Sequence, residues 1–519
     1  MPVQNPGVTS LFALHNLHKT ERSMGQSIER LSSGKRINHA GDDAAGGAIA
    51  DRMTSQIKGL NMSVRNASDV LSMAQVAEGA LDESSKVLQR IRELAIQSAS
   101  DLMNGEERLY LQTEANQLIA ELDRVARDTT FNEIAVLDGT FADRRFQIGS
   151  KEREAATVSI GNLRTTAIGN HEVRTEAATG ATLSATAVSL GTADTIADED
   201  FTIHGLLGSK TIDVVAGSTA RDVAEAVNIQ FDQTGVTATA STNMKIQANG
   251  TAGSATLSIG LKGKNTTVRT ISAGVTLAAS SGSSDLTGLS NSINAYSAET
   301  GIVAVLSADK ATVYITQDEG YNIALTDLDF ADTTDNSRVL EVTGMDARLF
   351  DASDSELLSG TAKTMTDTSY NSGAGKDAIV GGQVMMHSSH SFTATTTNTN
   401  GDLFQSSPGA ATLNTVSDLS LRTRSKSIDA LKVVDKALDK IHMERAKLGA
   451  VMSRMDQAID NLTNVSANTS SAKSRIVDAD MAAESAVLAK SQVLQQSAMA
   501  MIAQASRAQQ SILTLLQGM

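Results

Sequence analysis

Residues 8–37 read VTSLFALHNLHKTERSMGQSIERLSSGKRI, a stretch without proline in which Leu14, Leu17, Met24, Ile28 and Leu31 follow alternating steps of three and four, with Glu21 the one polar break. The opposite end repeats the pattern from about 476 to 517, where Val487, Leu494, Ala498, Met501, Ala505, Ala508, Ile512 and Leu515 keep the same steps and Ser491 is the break. This is the spacing of helices that lie against other helices. Neither end has a helical partner nearby in sequence, so the two ends are expected to meet in space and to stack with copies of the same chain.

Working inward, a polar, glycine-rich stretch at 32–43 follows the first helix, and Asp42 or Asp43 can cap the next one. That helix is expected over about 44–99, with Met53, Ile57, Leu60, Val64, Ala67, Leu71, Ala74, Leu81 and Leu88 in heptad spacing and breaks at Glu78 and Ser85. At 1.5 Å per residue it would span roughly 80 Å. A third helix is expected over 106–127 on Leu111, Ala115, Leu118, Leu122 and Val125. From Phe131 the period becomes two, and 134–141 reads as strand, Asp138-Gly139 turn and strand, with further strands near 146–149 and 157–160. Helical heptads return at Ile428 and run through Leu431, Val434, Leu438, Ile441, Leu448, Met452, Met455, Ile459 and Leu462, broken only at Arg445. The polar residues 466–474 are expected to separate this helix from the last one.

The middle is different material, rich in Ala, Thr, Ser, Gly and Asp, with short β-type runs such as 210–215 and 311–316. It contains an internal repeat. Val227-Asn228-Ile229 and Thr234-Gly235-Val236-Thr237-Ala238 align with Ile293-Asn294-Ala295 and Thr300-Gly301-Ile302-Val303-Ala304 at a constant offset of 66. Each copy reads as short helix, Thr-Gly turn and strand. The Thr/Asn tract at 393–400 reads as a linker.

Composition narrows the class. Of 44 Lys+Arg and 59 Asp+Glu in 519 residues, 12 and 27 fall within 172–415, leaving 32 of each outside it. The net charge of −15 thus resides in the middle. Balanced ends suit dense self-packing and an acidic middle suits solvent exposure; no basic patch points to nucleic acid. There is no cysteine and no tryptophan, and aromatic residues are 3%, so the core is Leu, Ile, Val, Met and Ala, as in long thin helical bundles. No run of about 18 apolar residues suggests membrane insertion, and no basic-then-apolar leader is visible. The expected fold is mainly α at both ends, a long antiparallel helical bundle or coiled coil, with a small β-hairpin region and a central β-rich or α+β outer insertion.

Leu31-Ser32-Ser33-Gly34-Lys35-Arg36-Ile37-Asn38 with Ala40-Gly41-Asp42-Asp43-Ala44-Ala45-Gly46, then Ser474-Arg475-Ile476-Val477-Asp478-Ala479-Asp480, then Gln509-Gln510-Ser511-Ile512-Leu513-Thr514-Leu515-Leu516, resemble the terminal signatures of bacterial flagellins. The resemblance covers about 1–170 and 415–519. It implies a self-assembling structural subunit of the helical flagellar filament, with no enzymatic activity and no cofactor. The implied domains are 1–43 with 475–519 as an inner-tube coiled coil, 44–174 with 406–474 as a long-helix shell carrying the hairpin, and 175–405 as a surface insertion, whose internal repeat points to two subdomains near 205–260 and 275–330. Self-assembly falls to Leu14, Leu17, Met24, Ile28, Leu31, Leu494, Met501, Ile512 and Leu515. The resemblance further implies type III export to an extracellular filament without a cleaved signal peptide, an export chaperone on about 482–516, and filament cap and hook–filament junction proteins as partners. Residues 88–97, LQRIRELAIQ, resemble the stretch read by Toll-like receptor 5, with Arg90, Leu94 and Glu114 as contacts. Arg90 would supply a planar donor fork and Leu94 an apolar anchor.

Two alternatives compete: a hook–filament junction protein, which shares the terminal helices, and a filament subunit whose insertion is an enzymatic or adhesive domain. Against metal hydrolysis, none of His15, His18, His39, His171, His204, His387, His390 and His442 belongs to a His-Glu-x-x-His motif. His387 and His390 are expected on a surface loop. Asp42-Asp43 and Asp478 with Asp480 are expected to cap and to hydrogen-bond between subunits rather than to catalyse.

Overall fold

A computed structural model describes residues 8–100, 102–175, 200–215, 218–249, 252–278, 284–331, 338–350, 356–358, 363–366, 378–396 and 409–517. The helices among them are α1 (Val8–Ser33), α2 (Ala44–Ser98), α3 (Gly105–Asp128), α4 (Ala220–Ile229), α5 (Phe231–Thr234), α6 (Thr287–Asn294), α7 (Ser297–Thr300), α8 (Arg424–Val477) and α9 (Met481–Gln517). Long helices at the two ends and a sheet-rich centre give the expected fold class. The chain divides into two compact units, one of Met1–Val76, Ala142–Ser159 and Lys447–Met519, the other of Ala77–Phe141 and Ile160–Ala446.

The burial along α2 corrects the phase of its seam. The buried positions Leu60, Ser63, Ala67, Val70, Ala74, Ala77, Leu81, Ser84, Leu88, Ile91, Ala95 and Ser98 alternate steps of three and four, and Met73, Ser85, Val87 and Leu94 beside them are buried as well. The expected series through Leu60, Ala67, Ala74, Leu81 and Leu88 lies in it, but its companion is Ser63–Val70–Ala77–Ser84–Ile91–Ser98. Val64, Leu71 and Glu78 are only half-buried, so Glu78 interrupts nothing. Ser or Ala occupies seam positions 63, 67, 74, 77, 84, 95 and 98, and small side chains let backbones approach closely.

In the first unit, the strands Arg144–Gln147 and Ala155–Val158 form an antiparallel ribbon. Asn66 Nδ2 on α2 donates to Gln147 O at 2.9 Å, and Ser466 Oγ on α8 donates to Asn61 Oδ1 on α2 at 3.0 Å. The polar residues 466–474 do not break α8. They lack Gly and Pro, and Thr469 returns its hydroxyl to Val465 O at 2.7 Å, so the helix continues to Val477. Asp480 opens α9, accepting from Ala482 N and Ala483 N at 2.9 and 3.1 Å. Asp43 does the same for α2 through Gly46 N at 2.8 Å. Asp42 instead accepts from Asn38 N and His39 N, both at 3.0 Å, closing the preceding loop.

In the second unit, Asn104 and Glu107 form a reciprocal capping box at the start of α3. The hairpin turn is Asn132-Glu133, with φ of 50° and 65°, joining Thr130–Phe131 to Ile134–Ala135. The expected Asp138-Gly139 turn lies beyond this ribbon. Helices α2 and α8 are tied by Arg92 Nε to Asp435 at 2.6 Å and Arg445 to Asp82 at 3.4 Å, while Ser98 Oγ on α2 and Gln112 Nε2 on α3 donate to the segment before α8, to Leu421 O at 2.6 Å and Leu419 O at 3.2 Å.

The largest sheet runs in the order Val303–Leu306, Thr312–Gln317, Thr237–Asn249, Gln383–Ser388, Gly169–Arg174, Thr412–Thr415, with Val339–Phe350 also pairing Thr237–Asn249. A four-stranded sheet (Arg269–Leu277, Gly253–Lys262, Ile323–Phe330, Ala378–Val380) encloses one apolar core centred on Ile259, Leu261, Ile293, Ile315 and Leu325. A second core gathers Phe201, Ile203, Val223, Val227, Val384, Met386 and Phe392. Thr393–Thr396, expected as linker, is a strand paired with Phe201–His204; residues 397–400 of that tract lie outside the described residues. β-Branched Thr with Ala394 buried against the second core suits a strand better than its low complexity implies.

One hydrogen-bond set occurs twice, 66 residues apart. Asn228 Nδ2 donates to Ala238 O at 2.9 Å while its Oδ1 accepts from Ala238 N at 2.8 Å. Asn294 does the same with Ala304, at 2.8 Å for both bonds. Gly235 and Gly301, each at φ 71°, end α5 and α7 in the left-handed region, where a side chain would be strained.

Candidate functional site

The two chain ends meet in the first unit. The strand-like bridge Lys35–Asp478 is flanked by Arg36 N donating to Val477 O at 2.6 Å and Ala479 N donating to Gly34 O at 3.0 Å. Arg36 also gives Nη2 to Ile476 O at 2.7 Å. Gly34 reaches this geometry at φ 70°, a conformation that disfavours any Cβ. From this clasp α1 and α9 lie side by side. Glu484 accepts from Arg30 Nη1 at 3.0 Å and from the buried Ser27 hydroxyl at 2.9 Å; Ser491, the polar break expected in the seam of α9, is buried as well.

Their mutual packing leaves much of the apolar surface in water. Leu14 is 41% exposed, Ile28 49%, Leu494 47% and Met501 64%. Leu17, Met24 and Leu31 are half-buried. The side chains of Ile512 and Leu515 lie outside the described residues. Leu11, Phe12, Val487, Val493 and Met499 add exposed apolar area that the heptad count had not singled out, apart from Val487. Water disfavours such surface by about 25 cal/mol per Å², so two helices alone do not satisfy these stripes.

The second face lies on α2 and α3. Arg90 gives Nη2 to Glu114 Oε1 at 2.7 Å and Nη1 to Glu93 at 3.0 Å. Hydrogen bonding to Glu114, then to Glu93, raises the already high Arg90 pKa, so its charge is permanent. Arg90 and Glu114 are thus brought together at the surface. Leu94 is not: it is fully buried, which corrects its reading as an outward apolar anchor. It sits three residues after Ile91 and one before Ala95, both in the buried seam.

His387 is corrected too. It lies in the strand Gln383–Ser388, is 4% exposed, and shares hydrogen bonds with Asn170 and Thr239. Among the described residues no three His, Cys, Asp or Glu side chains are grouped to hold a metal ion, and no helix is long and apolar enough to cross a membrane.

Comparison with known proteins accords with this geometry. Residues 5–142 match the bacterial flagellin N-terminal helical region, 431–516 the bacterial flagellin C-terminal helical region, and 200–252 the flagellin hook IN motif. The chain is 36% identical over 513 residues to B-type flagellin of Pseudomonas aeruginosa, and 32% identical over 551 residues to flagellin of Salmonella muenchen, with 99% of both chains covered in each case. Among solved structures, FliC from Burkholderia pseudomallei aligns at 15% identity and a TM-score of 0.27, over 74% of this chain and 99% of that one; a score that low carries no argument.

Proposed function

We propose, on the premise that this chain belongs to the bacterial flagellin family and is a structural subunit of the extracellular helical flagellar filament, that its polymerisation is driven by the apolar surface left on the paired ends. The observation that carries this is the exposure of Leu14, Ile28, Leu494 and Met501 on helices that already hold each other. Copies added along a non-closing helical path cover that surface and extend a polymer rather than closing a ring. Leu17, Met24, Leu31, Ile512 and Leu515 belong to the same stripes. In this reading 1–43 with 475–519 line an inner tube, 44–174 with 406–474 surround it, and 175–405 point outward. The same greasy face of α9 would seat an export chaperone before assembly, and cap and junction proteins would meet it at the filament ends.

The face around Arg90 supports a second role, recognition by Toll-like receptor 5. Arg90 and Glu114 offer a fixed donor fork and a carboxylate side by side, a pair with geometric specificity. Leu94 holds the helix beneath them. The test is a receptor reporter assay on monomer: Arg90→Ala with Glu114→Ala should cut the response by at least tenfold while the helical circular dichroism stays unchanged. An unchanged response at limiting dose would remove the assignment.

A further inference from the structure

Three strands meet where the chain enters and leaves its sheet-rich region. Gly169–Arg174 leads in, Gln383–Ser388 and Thr412–Thr415 lie on either side of it, and polar side chains join all three. Glu172 stands opposite His387 in the strand register and Asn170 stands opposite Asn414. The Glu172 carboxylate is 6% exposed. It accepts from Arg174 Nε at 2.5 Å, Asn414 Nδ2 at 3.1 Å and Asn170 Nδ2 at 3.4 Å, and lies 3.8 Å from His387 Nδ1. His387 Nδ1 is 2.9 Å from Asn170 Nδ2, which makes that ring nitrogen an acceptor, and Nε2 is 3.2 Å from Thr239 Oγ1. A ring accepting at Nδ1 is the neutral ring.

We propose that this cluster is an acid-sensitive latch, closed around a neutral His387 and opened when that ring takes up a proton. A second proton would sit on Nδ1, facing the Asn170 amide as donor against donor. The groups around the ring oppose the charge on balance. Lys432 and Lys436 of α8 and Arg174 repel it; Glu172 attracts it but already accepts from three donors. Asn170 Oδ1 is buried without a hydrogen-bond partner, so the closed network already carries one unmet acceptor. His171, next in the chain, faces Lys440 and His390 and is held neutral in the same way.

Burial first, then the lysines, push His387 down to about 4 from 6.5. The opened strand regains the ordinary value. Between pH 6.5 and 4 the open form therefore binds a proton that the closed form refuses, and opening becomes easier as pH falls through that window. For His387 alone the gain in open population from pH 8 to pH 5 is about 30-fold.

Hydrogen exchange of the full-length monomer, corrected for intrinsic rates, tests this. Amides of 169–174 and 383–388 should lose at least about 30-fold in protection between pH 8 and pH 5, while those of α3 hold theirs. His387→Gln should lose at least tenfold less; if it does not fold by circular dichroism, His387→Asn replaces it. An equal pH response in wild type and variant, no response in wild type, or loss in α3 in step with the strands would overturn the latch.

Discussion

Arg30 and Glu484 stand 454 residues apart in the chain and 3.0 Å apart in space. With the buried Ser27 hydroxyl on the same carboxylate, they fix the rotation of α1 about α9. That rotation decides which residues face inward between the two helices and which remain on the outside. The buried positions hold Ser27 and Ser491, while Leu14, Ile28, Leu494 and Met501 stay exposed and Leu17, Met24 and Leu31 are half-buried. A two-helix contact that buries serines and exposes leucines is not a finished core. It is one layer of a larger one.

Glu484→Ala removes both hydrogen bonds at once and leaves the Ser27 hydroxyl buried without an acceptor. The α1–α9 pairing should weaken by about 1–3 kcal/mol. Hydrogen exchange of α1 amides in the monomer reads this directly, with faster exchange expected in α1 and none in α3.

Leu94→Ala should cost about 2–5 kcal/mol of stability, because a fully buried leucine is replaced by a cavity. Arg90→Ala, on an exposed pair, should leave the denaturation midpoint nearly unchanged. Urea unfolding of the two variants separates them. Any receptor phenotype of Leu94→Ala is therefore to be compared with its folded fraction.

Asn228→Ala and Asn294→Ala each remove two hydrogen bonds from a strand backbone, and each should lower stability by about 1–2 kcal/mol. Asp at either position keeps the acceptor for the strand N–H but sets a second carboxylate oxygen against the strand C=O, so Asn→Asp should cost at least as much as Ala. Thermal unfolding followed by circular dichroism at the β-sheet band gives the order. The two sites are separate, so the double Ala variant should show the sum.

The helices were legible because their apolar residues recur at a period that no other element shares. The 66-residue repeat was legible because Asn228 and Asn294 carry a bond that only Asn or a close relative can make at that place. What failed to show was phase and direction. A heptad count on α2 fixes one seam position, through Leu60 and Leu81, but Ser63 and Ser84 are buried polar residues that hydropathy assigns to the surface. Leu94 read as available because sequence matching does not report which way a side chain points. His387 read as a loop residue for a related reason: its neighbours Ser388, Ser389 and His390 are polar, and it is buried in a strand that pairs with Gly169–Arg174 on one side and Thr237–Asn249 on the other.

Removing residues 1–35 takes away α1 with Gly34 and Lys35 of the clasp while leaving the second unit whole. The most direct measurement is electron microscopy of this truncated protein offered to filament seeds, with circular dichroism to verify that it remains folded. The expected result is a soluble, helical protein that adds nothing to the seeds. Filaments of normal diameter grown from it would contradict the claim that the paired ends carry polymerisation.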